Sequence, residues 1–207
     1  MKKVFSVEEI KEIESREFRK RGGDSFSLMV NAGVNCAKKI IKLVKKKPII
    51  IVCGPGNNGG DGFIIGNYLH EKKYKVEVFC LQKKYYKGDA LKAFKKLKIK
   101  TQNISKFKAR KNSVIIDCIF GTGLNKPISG TLKSVILRMN KLNKIISIDI
   151  PSGINGDTGK ILGCAVKAHT TLALHAKKIG HTLNPGKKYS GKIIVVGIGI
   201  FKKFNYS

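Results

Sequence analysis

The chain has 207 residues, enough for one domain that buries about 70% of the surface its unfolded form exposes, so it needs no disulfide framework. Its formal charge is +29, from 42 Lys and Arg against 13 Asp and Glu. Lysine supplies 37 of those 42 and is spread along the chain, which argues against a nucleic-acid face built on arginine forks and leaves nonspecific attraction for anions.

The opening MKKVFSVEEIKEIESREF lacks the apolar core of a signal peptide. No later apolar run approaches the roughly 20 residues that span a bilayer. A cytoplasmic protein with no membrane partner is expected. The five cysteines (Cys36, Cys53, Cys80, Cys118, Cys164) are odd in number and lack C-x-x-C spacing, so they read as reduced core residues.

Ser6 caps an amphipathic helix to about Lys20, with Glu9 completing a capping box. A second helix, Ser25 to Lys45, carries the apolar stripe Leu28, Met29, Ala32, Ala37, Ile40, Ile41 and Val44, a core or dimer face. Strands and helices then alternate. Strands are expected at Ile49–Cys53, Val76–Leu81, Val114–Cys118, Ile145–Ile150, Thr170–Leu174 and Ile193–Val196, and helices at Asp61–Leu69, Asp89–Leu97 and Leu132–Leu142. Short apolar strands separated by helices predict an α/β fold, a mostly parallel sheet covered on both faces.

Three strand ends carry unusual polar turns. The first is CGPGNNGGDG, Cys53 to Gly62. Its glycines let a ligand approach the backbone, and the amides that open the next helix attract an anion. Gly54, Gly56 and Gly59 fit G-x-G-x-x-G, but no acidic residue ends the next strand (Phe79, Cys80, Leu81, Gln82), against an ordinary NAD-binding site. No Lys-Ser or Lys-Thr follows the glycines, so a P-loop is excluded. Asp61 at the positive end of that helix is expected to compete with a phosphate for its amides.

The second turn, SVIIDCIFGTGLNKP, carries Asp117 and Gly121 to Pro127. The third, IISIDIPSGINGDTG, carries Asp149, Pro151, Ser152 and Gly153. A carboxylate closing an apolar strand is costly unless paired or coordinated. Clustered carboxylate, amide and hydroxyl oxygens suit a hard cation. His70, His169, His175 and His181 are scattered, which excludes a zinc site of ordinary spacing.

GPGNNGGDGF, DCIFGTGLNKPISG and SIDIPSGINGDTG, with LMVNAG upstream and PGKKYSGKIIVVGIGI downstream, together resemble the NAD(P)H-hydrate epimerase family, the YjeF N-terminal domain. The resemblance covers nearly all of 1–207 as one domain and implies a Rossmann-like three-layer α/β/α sandwich, commonly a homodimer. It also implies one potassium ion per subunit and an isomerase activity that interconverts the R and S hydrates of NADH and NADPH.

By the same resemblance, Asn57, Asn58, Gly59, Gly60 and Asp61, then Gly121, Thr122, Gly123, Leu124, Asn125, Lys126 and Pro127, and Asp149, contact the substrate. Asn58, Asp117 and Ser152 ligate potassium. Asp149 is the acid/base candidate. The chain departs from the family pattern at Val30, usually glutamate, and at Gly66 and Asn67, often Ala-Arg. The usual pathway partner, an NAD(P)H-hydrate dehydratase, is expected on a separate chain. The competing reading is a non-catalytic nucleotide-binding or scaffold module of the same fold.

Overall fold

The computed structural model describes residues 4–141 and 144–200. The capping box forms as expected: Ser6 Oγ accepts from the Glu9 amide at 3.1 Å and Glu9 Oε2 accepts from the Ser6 amide at 2.8 Å. It opens α1 (Val7–Lys20). Asp24 caps α2 (Ser25–Val44), which ends where Lys45 turns left-handed at φ 45°. The main sheet then begins with β2 (Ile49–Cys53), after a short β1 (Val4–Phe5).

The alternation continues through α3 (Asn57–Glu71), β3 (Val76–Cys80), α4 (Gly88–Lys95), β4 (Thr101–Asn103) and β5 (Val114–Cys118). It closes with α5 (Gly130–Met139), β6 (Lys144–Ile148), β7 (Thr170–Leu174), β8 (Lys177–Lys178), α6 (Gly186–Ser190) and β9 (Lys192–Val196).

Seven strands form one sheet in the order β4-β3-β2-β5-β6-β7-β9, with every pairing parallel. The expected mostly parallel sheet is thus wholly parallel. Period 2 sorts its core. Ile49, Ile51 and Cys53 face α2, α3 and α4, whereas Ile50 and Val52 face the side packed by α5, Phe79 and Phe107. Both faces are apolar because both are covered, which is why the strands read as continuous runs. The chain winds outward from β2 to β4 and then returns to β5 on the other side of β2. That reversal opens a crevice at the carboxyl ends of β2 and β5, where ligands of such sheets bind.

Sequence periodicity missed β1, β4 and β8, which have two or three residues each. β1 and β8 form a separate parallel pair, with Val4 opposite Lys177 and Phe5 opposite Lys178. The expected end of the α5 helix at Leu142 lies outside the described residues.

Two boundaries matter for the site. α3 starts at Asn57, four residues ahead of the expected Asp61. Strand β6 stops at Ile148 rather than Ile150, because Asp149 adopts φ 69°. Among the described residues no helix is long and apolar enough to cross a membrane.

Candidate active site at the switch in strand order

Gly54 sets the geometry of the crevice. Its amide donates to the Cys118 carbonyl at 3.0 Å, joining the ends of β2 and β5. A Cβ there would stand 1.9 Å from the Ile119 carbonyl oxygen. Only glycine brings these strand ends so close.

Above them lies a cavity of about 530 Å³, lined by Asn57, Asn58 and Asp61 of α3, the turn Gly121 to Leu124, Asp149, and Lys11 and Glu14 of α1. A second arm, about 380 Å³, shares Lys11, Glu14, Asn57 and Asp61 and adds the apolar side chains Phe18, Leu28, Met29 and Ile198. A third, about 370 Å³, takes in Asn125, Lys126 and Pro127.

The expected site residues therefore divide. Asn57, Asn58, Asp61, Gly121, Thr122, Gly123, Leu124 and Asp149 converge on one cavity, and Asn125 to Pro127 on its neighbour. Gly59 and Gly60 line none of these. Each is pressed where a side chain would collide, Gly59 against the Gly54 carbonyl and Gly60 against Met29. Asp117 and Ser152 lie beneath the cavity, fully buried. The departures at Val30, Gly66 and Asn67 lie away from it. Val30 and Gly66 pack on the core, and Asn67 bonds the Lys96 carbonyl and the Lys98 amide.

Asp149 is held at both carboxylate oxygens. Its Oδ2 accepts from the Thr122 amide at 3.2 Å, and its Oδ1 meets the Lys178 ammonium at 2.5 Å. Lys178 is 1% exposed and also donates to the Leu174 carbonyl at 2.7 Å. Burial works to raise the Asp149 carboxyl, but the attraction of Lys178 prevails and holds it below the usual carboxylate range.

His181 completes the frame. Its Nδ1 accepts from the Lys178 amide at 2.9 Å, so Nε2 carries the proton that reaches the Asp149 carbonyl at 3.1 Å. Burial pushes this imidazole down to about 4. Neither Lys178 nor His181 was legible as a site residue, since one is a lysine among 37 and the other a histidine with no ligand spacing.

The other carboxyls differ. Asp61 stands in the second turn of α3, not over its first amides, so it does not compete with an anion there. It is 6% exposed, and burial, with Asp149 and Glu14 adding like charge, pushes it well above the ordinary range. Glu14 was not expected at all. Its signal lay in the spacing Val7, Ile10, Glu14, which puts a carboxyl on the inward stripe of α1.

Asp117 accepts four bonds: from the Ile119 amide, the Ser147 hydroxyl, the Ser152 amide and the Ser152 hydroxyl, at 2.6 to 3.2 Å. Burial still raises it, and among the described residues no cation pairs with it. Asn58, by contrast, has both side-chain polar atoms buried without a partner.

The family model for YjeF-related protein N-terminus matches residues 25–180. The chain belongs to this YjeF-related family. A protein of Lentilactobacillus buchneri named NAD(P)H-hydrate epimerase is 32% identical over 98% of this chain and 97% of its own length. A bifunctional NAD(P)H-hydrate repair enzyme of Thermofilum pendens is 33% identical over 93% of this chain, which spans 39% of that longer protein. The crystal structure of a yeast protein shares the fold, with a TM-score of 0.76 at 22% identity over 95% of this chain and 88% of that one. Within the YjeF-related match lie the three polar turns and Lys178. Glu14 and His181 fall outside it.

Proposed function

We propose that this chain is an NAD(P)H-hydrate epimerase. The single observation that carries the reading is the full-length similarity to the L. buchneri epimerase, 32% identical over 98% of this chain. The site is consistent with it. The hydrate carries a hydroxyl on a ring carbon next to the ring nitrogen, whose lone pair expels it and leaves a planar iminium cation open to water on either face. A preorganised buried anion stabilises such a cation. Asp149, an anion held by Lys178 and the Thr122 amide beside the cavity, is that group. A carboxylate held below its ordinary range is a poor proton donor, so its part in the reaction is mainly electrostatic.

Asn57 to Asp61, Gly121 to Pro127 and Asp149 form the substrate-binding set of this proposal, with Gly59 and Gly60 acting through backbone shape. Potassium fits beside the Phe120–Gly121 turn. There Asn58 offers an amide oxygen that nothing else satisfies, Ser152 Oγ binds the Phe120 amide, and the Asp117 charge has no counter-cation among the described residues. When bound, the ion would supply charge balance and fix the turn. In this reading the subunits pair as a homodimer. The two activities united in the T. pendens protein imply that a dehydratase on another chain consumes one epimer.

The test is to isolate the R hydrate of NADH and follow its conversion to S by chromatography. Conversion well above the spontaneous rate is expected. Binding of the hydrate without faster conversion would instead mark a nucleotide-binding module.

A further inference from the structure

If Asp149 is locked as an anion, another group must exchange the proton with the departing hydroxyl. We infer that Glu14, on the N-terminal helix, is the acid/base of the epimerisation, with Asp149 as its fixed counter-charge; this rests on the epimerase reading above. Three geometric facts together favour it over Asp61, which shares only the first.

First, Glu14 stands where the main cavity and its apolar arm meet, lining both. Second, its helix is pinned at both ends. The Val7 amide donates to Asp157 Oδ1 at 2.7 Å, and Arg21 Nη2 donates to the Gly199 carbonyl at 2.6 Å. The carboxyl is thus held at the cavity by a rigid element. Third, Glu14 is half-buried, so its proton exchanges with solvent between turnovers, whereas Asp61, which lines the same cavities, is 6% exposed.

The electrostatics agree. The charged groups around this carboxyl are Lys11 on its own helix, Asp61 of α3, Asp89 of α4, Asp149 after β6 and Lys178 of β8. Burial, then the Asp149 charge, raise Glu14, while Lys178 and Lys11 oppose them, and the net displacement is upward. Two carboxyls facing one cavity are thereby driven apart, one toward the neutral acid and one toward the anion.

The step balances without a redox partner. Protonated Glu14 gives its proton to the ring hydroxyl. The C–O bond breaks as the nitrogen lone pair forms C=N, and water leaves. Water then adds to the other face: a C–O bond forms as the C=N π pair returns to nitrogen, and the proton the water sheds returns to the Glu14 carboxylate.

The test uses the whole chain and the isolated R hydrate of NADH. Positioned general acids contribute 10²–10⁴-fold. Glu14→Gln should lower kcat about 100-fold with KM changed less than about threefold, abolish the fall in rate at high pH, and be partly rescued by Glu14→Asp. The wild-type kcat should itself decline as pH rises through a pKa above the ordinary glutamate range near 4.3. This profile needs no variant to fold.

Several results overturn the assignment. One is a flat wild-type profile, another is Glu14→Gln within about threefold of wild type, and a third is an effect confined to KM. Loss of the alkaline limb in Asp61→Asn but not in Glu14→Gln would move the proton to Asp61. A wild-type protein with no activity would fail the epimerase reading instead, which is a distinguishable outcome.

Discussion

Replacing Lys178 by Met keeps the length of the side chain and deletes its ammonium. The consequence follows from burial, since the side chains of Lys178 and Asp149 are 1% and 10% exposed and sit in direct contact at 2.5 Å. Removing one partner of a buried pair leaves an uncompensated charge and costs about 3–5 kcal/mol. For a chain of this size that lowers Tm by roughly 6–20 °C.

The loss should depend on pH, with a definite sign. In the wild type the folded Asp149 carboxyl lies below its unfolded value. Its contribution is therefore present above the unfolded pKa of about 3.9 and lost as pH falls through the folded one. In Lys178→Met burial acts unopposed and raises the carboxyl. Its contribution then holds below about pH 3.9 and disappears as pH rises through the raised value. The penalty of the substitution must accordingly grow from acid to neutral pH.

Urea unfolding at a series of pH values measures it, and adding Asp149→Asn should recover most of the neutral-pH loss. Asn is the apt replacement because it tolerates the left-handed backbone that Asp149 adopts. A penalty below about 1 kcal/mol at neutral pH, or one that shrinks as pH rises, would refute the ion-pair reasoning.

Two further outcomes are expected. Gly54→Ala forces a Cβ onto the Ile119 carbonyl at 1.9 Å and should cost at least about 4 kcal/mol, read by denaturation or by loss of soluble protein; a near-native Tm would contradict the close approach of β2 and β5. Asn58→Ala removes an amide that is buried and unpaired, so in potassium-free buffer it should leave Tm unchanged or higher. The wild type should gain about 2.7 kcal/mol with potassium at 100 times its Kd and the variant should not; equal gains in both would place the ion elsewhere.

How legible the site was depends on the kind of signal each residue left. β2, β5 and β6 announced themselves as apolar runs, and Asp117 and Asp149 stood out because a carboxylate closing such a run demands an explanation. The start of α3 was misplaced because a glycine-rich segment reads as a turn. The segment is helix instead, and its Gly59 lies where a side chain would collide with the Gly54 carbonyl. Lys178 was hidden by composition. It lies in a two-residue strand whose partner, β1, is 173 positions away in the register Phe5 to Lys178, beyond any local pattern. Glu14 was hidden by a helix that looked like ordinary surface, although its position seven after Val7 and four after Ile10 lies on the buried stripe.

The charge of the chain gains meaning once these positions are known. Against 42 basic residues stand only 13 acidic ones, yet Glu14, Asp61, Asp117 and Asp149 gather at or beneath one cavity. Lys178 is the buried lysine of the described residues. The excess of exposed lysine attracts anions whatever their ring chemistry and accelerates their encounter with the protein. Within the cavity Asp149 is the carboxyl kept as an anion, paired with Lys178, while burial pushes Asp61 and Glu14 toward the neutral acid, so the negative charge available to a cationic ring is concentrated at Asp149. Attraction felt equally by substrate and transition state lowers KM alone, whereas attraction for the developing cation raises kcat. In the epimerase reading proposed above, the lysine coat would act on capture, and Asp149 and Glu14 on the barrier.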